Sequence, residues 1–158
     1  MADIFSGSEI VEVGIQIEKN GRDFYSVLIE KTKSQKAKEI FKFLAGEEEK
    51  HIAVFQKILG SVENYEPAES YPGEYFAYMN ALASGYVFTE KDKGEEAARS
   101  IKNDKEAVEK GIGFEKDSIV FYNGMKKVVQ QYDLKVVESL IKQEEGHFSQ
   151  LVELKSML

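Results

Sequence analysis

Two histidines constrain this chain more than any other feature, because each follows a glutamate by three residues: Glu48 and His51 within Gly46-Glu47-Glu48-Glu49-Lys50-His51, then Glu144 and His147. They are the only histidines among 158 residues, and chance would place Glu three before both only about one time in fifty. Glu and His at i and i+3 share one face of a helix. Two such faces turned toward one another can hold metal. The chain has no cysteine, so a disulfide, a thiolate site and an iron–sulfur cluster are excluded, and any metal must be held by oxygen and nitrogen.

The surrounding pattern is helical throughout. Ser6 and Glu9 have the Ser-x-x-Glu form of a capping box, which predicts a first helix from Ser6 to about Lys33. Its apolar stripe includes Ile10, Val11, Ile17, Phe24, Tyr25 and Leu28, and Glu18 falls inside that stripe, away from water. Gly14 and Gly21 flank it one turn to either side, each costing up to about 1 kcal/mol relative to Ala, which predicts close approach of something to that face. Ser34 reads as the cap of a second helix, from about Gln35 to Leu59, closed by Gly60. Glu18 and Glu48 each stand fifteen residues from the turn near residue 33, so they lie level in an antiparallel hairpin.

The segment from Ser61 to about Lys93 contains Pro67, Pro72 and the Tyr-rich run 71–86, in which 74–83 could form a short helix. A connection of that length suits a crossover to the far end of a bundle, and its tyrosines read most simply as packing, with shielding of the site or a subunit contact as the alternatives. The charged run 90–104 reads as the solvated start of a third helix, covering roughly Asp104 to Gln130. A fourth runs from Asp133, as N-cap, to about Met157. Glu115 on the third and Glu144 on the fourth are again level across their turn.

The two halves repeat. Residues 14–25 (GIQIEKNGRDFY) match 111–122 (GIGFEKDSIVFY) at Gly, Ile, Glu, Lys, Phe and Tyr with a constant offset of 97, while Glu48/Glu144 and His51/His147 are offset by 96. The fold expected is therefore all-α: an antiparallel four-helix bundle made of two helical hairpins, about 6–60 and about 104–157, joined by a long crossover in a single domain of residues 1–158. One Glu from each of two helices plus Glu-x-x-His from each of the other two is the ligand arrangement of di-iron and di-manganese carboxylate bundles.

With residues 111–122 and Glu144-Glu145-Gly146-His147 on the page, the chain resembles the rubrerythrin-like branch of the ferritin superfamily. That resemblance spans all four long helices. It implies that Glu48 and Glu144 bridge two irons, that Glu18 and Glu115 are terminal ligands, and that His51 and His147 bind one iron each. Tyr25 and Tyr122 match tyrosines of the family that hydrogen-bond to ligands across the site. Two departures stand out: rubrerythrins usually carry a further carboxylate one turn beyond the third-helix Glu, where this chain has Ser118, and rubrerythrins proper carry a cysteine-paired rubredoxin module. Electrons must then come from an external donor protein or small reductant.

A single Glu-x-x-His on an acidic helix is ordinarily a surface pair. Two copies in register with two further buried carboxylates are not, since burying four carboxylates without cations costs several kcal/mol each. Glu47, Glu49 and Glu145 are expected on solvated faces. Three functions fit: a diiron oxidoreductase that reduces hydrogen peroxide, ferritin-like iron oxidation and storage with dioxygen, or a non-redox metal-bound bundle. Iron is the expected metal, with Mn or Zn as substitutes. The net charge of −7 disfavours nucleic acid and anionic membranes as partners. No basic-then-apolar leader opens the sequence. The expectation is a cytoplasmic protein, assembled as a homo-oligomer such as a dimer.

Overall fold

The computed structural model describes residues 6–62 and 73–158, and among them it is wholly helical. Six α-helices follow one another: α1 (Gly7–Lys31), α2 (Gln35–Val62), α3 (Gly73–Ser84), α4 (Lys93–Arg99), α5 (Asp104–Met125) and α6 (Gln131–Ser156). Helices α1 and α2 pair through a three-residue turn, α5 and α6 through a 3-10 turn at Lys126–Val128. The pairs meet where α1 packs on α5 and α2 on α6. These four long helices form the bundle. Pro67, Pro72 and Tyr71 of the crossover lie outside the described residues.

Local chemistry starts the helices where the sequence indicates. Ser6 caps α1, its Oγ accepting from the Glu9 amide at 3.3 Å and donating to Glu9 Oε1 at 3.1 Å. Ser34 caps α2 through the Ala37 amide, and the Asp104 carboxylate accepts from the Lys33 and Ser34 amides, tying the start of α5 to that of α2. Phe24, Leu28, Phe41, Leu44, Phe55 and Ile58 are fully buried. At roughly 1.5–3 kcal/mol apiece they offset the cost of the polar groups enclosed beside them.

Several boundaries depart from expectation. Gly60 does not close α2, which continues to Val62. A glycine in open space costs a helix only about 1 kcal/mol, and the extra half-turn buries Val62 against the start of α1. The run 90–104 is not the start of the third helix. It holds the separate helix α4, entered through Asp92 at φ 63° and followed by a break at which Asn103 caps α5 through the Glu106 amide. The third helix ends at Met125 rather than near Gln130. Asp133 is not the N-cap of α6 but sits buried in its first turn, because Gln130 already supplies the first helical carbonyl.

Helix α4 is held against α1 by one buried amide. Asn20 Nδ2 donates to the carbonyls of Phe88 and Glu90 at 2.5 and 2.6 Å, and its Oδ1 accepts from the Gly94 amide at 3.0 Å. Gly94 is obligatory there, since a Cβ would fall 1.9 Å from the Asn20 carbonyl oxygen. Lys31 completes the attachment by donating to the carbonyls of Ala98, Arg99 and Ile101 at the end of α4.

Candidate metal centre

The four carboxylates of the apolar stripes converge in the middle of the bundle. Glu18, Glu48, Glu115 and Glu144 have no exposure, and His51 and His147 only 3% and 4%. Their donor atoms form two groups of four: Glu18, Glu48, His51 and Glu144, and Glu48, Glu115, Glu144 and His147, each with its atoms within 4.8 Å of one another. Glu48 and Glu144 belong to both groups. The repeat therefore brings together all six residues singled out from the sequence.

The glycines expected to admit close approach do so. A Cβ on Gly21 would meet the Phe114 ring at 2.4 Å and Glu48 Oε2 at 2.9 Å. One on Gly14 would meet Met125 Cε at 2.6 Å, with Tyr122 behind it. The two tyrosines cross the bundle as the resemblance implies: Tyr25 Oη donates to Glu115 Oε1 at 2.9 Å, and Tyr122 Oη donates to Glu18 Oε1 at 2.7 Å. Burial, then the neighbouring carboxylates, keeps both phenols protonated.

What remains in the centre is a set of polar atoms without partners. Glu18 Oε2, both oxygens of Glu48, Glu115 Oε2, both oxygens of Glu144, and Nδ1 of each histidine are buried with no hydrogen bond. Buried polar groups are otherwise satisfied in proteins, and this cluster of unpartnered oxygen and nitrogen atoms fits a site that could hold cations. His51 Nδ1 does lie 2.8 Å from Glu144 Oε1 and 3.5 Å from Glu18 Oε1. We read these as charge contacts, because the approach is close while the hydrogen-bond angle is not met.

The electrostatics of the cluster are those of crowded anions. Burial raises the pKa values of Glu18, Glu48 and Glu115, and the charge of Glu144 raises each further. At Glu144 burial is outweighed by Glu115, His51 and His147, and its pKa falls. His51 is disfavoured as a cation by burial but more than compensated by Glu144 and Glu18, which lift it to about 11. His147 goes the other way, lowered chiefly by burial.

Several neighbours escaped the sequence reading. Tyr86, from the end of the crossover, shares a hydrogen bond of 2.9 Å with Ser118 Oγ and donates to the Phe114 carbonyl at 3.0 Å. Ser118 is buried, and its single proton goes either to Tyr86 Oη or to the same carbonyl, each 2.9 Å away; no carboxylate stands one turn beyond Glu115. Glu47 is not on a solvated face: its side chain is 16% exposed, with Oε1 4.0 Å from His147 Nε2. Gln143 Oε1 lies 3.0 Å from His51 Nε2. Both stand four residues before a histidine, and extending the repeat by one turn would have paired them.

Fold and site define a class: an antiparallel helical bundle enclosing a carboxylate- and imidazole-rich centre suited to a pair of cations. The rubrerythrin family model matches residues 9–155, and the chain belongs to the rubrerythrin family. It is similar over 99% of its length, at 31% identity and a TM-score of 0.74, to 98% of a Thermotoga maritima chain whose crystal structure is described as that of a candidate ferritin-like diiron-carboxylate protein. No curated protein matches the chain.

Proposed function

We propose that this protein is a diiron-carboxylate oxidoreductase that reduces hydrogen peroxide. The observation that carries the reading is the sharing of Glu48 and Glu144 by two four-residue donor groups, which suits two adjacent cations with Glu48 and Glu144 bridging, Glu18 and Glu115 terminal, and His51 and His147 each on one ion. Two ferrous ions held there would supply two electrons to one O–O bond.

The chain's own residues prepare that chemistry. Tyr25 and Tyr122 fix the terminal carboxylates from the opposite hairpin, so that Glu115 and Glu18 each keep one oxygen turned to the centre. Phe41, Leu44, Phe55 and Phe114 exclude bulk water around them. Tyr86 and Ser118 close the side where the resemblance places a further carboxylate, leaving six ligand residues and no seventh to exchange. With no cysteine in the chain, the reading calls for an external donor protein or a small reductant. No described helix is long and apolar enough to cross a membrane; a cytoplasmic location is part of the proposal.

Elemental analysis of protein expressed with ample iron, followed by stopped-flow oxidation of the anaerobically reduced protein, tests the proposal. Two irons per chain and faster oxidation by hydrogen peroxide than by dioxygen are expected, with Glu48→Ala and Glu144→Ala each losing most of both irons. If dioxygen is the faster oxidant and aerobic Fe(II) loading yields large mineral-filled particles, iron storage replaces this reading. A stoichiometry of one that added Fe(II) cannot raise defeats the dinuclear assignment.

A further inference from the structure

We infer that Glu47 and Gln143 are positioning residues of unequal chemistry behind the two histidines, and that they make the two metal positions unequal, the His147 position filling first. The inference rests on the dinuclear reading above and adds which half of the pair is the stronger.

Each imidazole turns Nδ1 toward the carboxylates and Nε2 away from them. Behind His51, Nε2 meets Gln143 Oε1 at 3.0 Å. Behind His147, Nε2 faces Glu47 Oε1 at 4.0 Å. Glu47 and Gln143 are offset by 96, as the histidines are, and each crosses to the histidine of the other hairpin. They are one structural device repeated, with a neutral amide in one copy and a carboxylate in the other. An amide oxygen orients the ring. The carboxylate of Glu47, at 4.0 Å and beyond hydrogen-bond reach, acts instead through its charge, adding negative potential near the cation.

The surroundings reinforce the difference. Phe43, itself half exposed, packs edge-on against His147 at 5.8 Å between ring centres. The outer edge of His51 instead borders an open groove of about 340 Å³ between α2 and α6, lined by Lys50, Lys135 and Gln143. Lys50 also pairs with Glu47 Oε2 at 3.1 Å, but it is 77% exposed, so its charge is largely screened by solvent while Oε1 of Glu47 stays turned to the imidazole. The His147 position thus gains an anion that the His51 position lacks.

Titration of the metal-free full-length protein with Zn(II), followed by calorimetry and by NMR of the two histidine rings, decides the matter without any catalytic assay. The wild type should take up two ions in two steps separated by about tenfold or more in affinity, with the His147 ring perturbed at one equivalent. Glu47→Gln should merge the steps, and the exchanged pair Glu47→Gln/Gln143→Glu should restore two steps with His51 perturbed first. Gln143 is solvent-accessible and Glu47 lies at the edge of the core, so an unchanged melting temperature verifies the fold of each variant. Two steps of unchanged order and separation in Glu47→Gln overturn the inference while leaving the dinuclear reading intact. Uptake of fewer than two ions by the wild type removes both.

Discussion

The two hairpins carry the same set of three ligand residues at their centres and differ in almost everything around it. Glu18 and Glu115, and Tyr25 and Tyr122, are related by an offset of 97, Glu48 and Glu144, and His51 and His147, by one of 96, and the structure gives the members of each pair matching places in the two donor groups or matching hydrogen bonds to them. One turn away the equivalence stops. Asn20 is a buried clamp for the crossover, whereas its counterpart Asp117 is exposed. Gly21 admits the Phe114 ring, whereas its counterpart Ser118 bonds Tyr86. Symmetry is retained where atoms must converge on one point and is lost where a helix meets whatever the connection happens to bring.

The largest expected effect that would break this comparison is on the metal-free protein as pH changes. Glu18, Glu48 and Glu115 have raised folded pKa values, so the stability they contribute is complete below the unfolded value of 4.5 and is lost as pH rises through the raised ones. His51 acts in the same sense, its contribution complete below 6.5 and lost toward about 11. Glu144 and His147, both lowered, act oppositely and lose their contributions only on acidification. The metal-free protein should therefore melt on the order of 5–10 °C lower at pH 8.5 than at pH 5.5, and metal, which binds the ionised carboxylates, should reverse the trend. A melting temperature indifferent to pH would mean that the carboxylates are not enclosed together. In the same samples, NMR should show one imidazole still protonated at pH 9 and the other neutral by pH 7, a direct reading of how far the halves have diverged.

Smaller and more local is the contrast between Asn20 and Asp117. Asn20→Ala removes three buried hydrogen bonds and strands two carbonyls and an amide, and should cost about 2–4 kcal/mol in urea denaturation. Asp117→Ala should stay within about 0.5 kcal/mol. Equal costs at the two positions would show that the crossover is not anchored through Asn20. Smallest is the exchange of side-chain size: Gly21→Ala drives a methyl into the Phe114 ring and should cost about 1–3 kcal/mol, whereas Ser118→Ala loses only its bonds to Tyr86 and Phe114, about 1 kcal/mol. Gly21→Ala should also displace Glu48 and weaken metal uptake, which Ser118→Ala should leave near the wild-type level.

The centre was legible in the sequence for a physical reason. A carboxylate on an apolar stripe is costly, and four at matching heights leave one economical explanation, so Glu18, Glu48, Glu115 and Glu144 could be placed before any coordinates. The glycines at 14 and 21 betrayed close packing by their helix cost. What could not be read depends on contacts between distant segments. Asn20 looks like any polar residue on a helix until the carbonyls of Phe88 and Glu90 arrive. The break between α4 and α5 does carry a local mark, Asn103 with Glu106 three residues on, but the docking of α4 on α1 depends on Lys31 and Asn20 meeting carbonyls far along the chain. Gly60 misled because a glycine marks a helix end only when the chain has no burial to gain by continuing, and Val62 had some.

The packing of α4 and the 3-10 turn Val87–Thr89 on α1 has a further result for motion. Helix α1 is enclosed by α2, α5, α4 and the 3-10 turn Val87–Thr89, while α6 rests on α2, α5 and the turn before it, with much of its surface in water. Helices with fewer burying neighbours open locally at lower free energy. The ligand residues are therefore mounted on supports of unequal stiffness, with Glu18 on the most enclosed helix and Glu144 and His147 on the most open one. When the bundle breathes, amide hydrogens around Glu144 and His147 should exchange before those around Glu18.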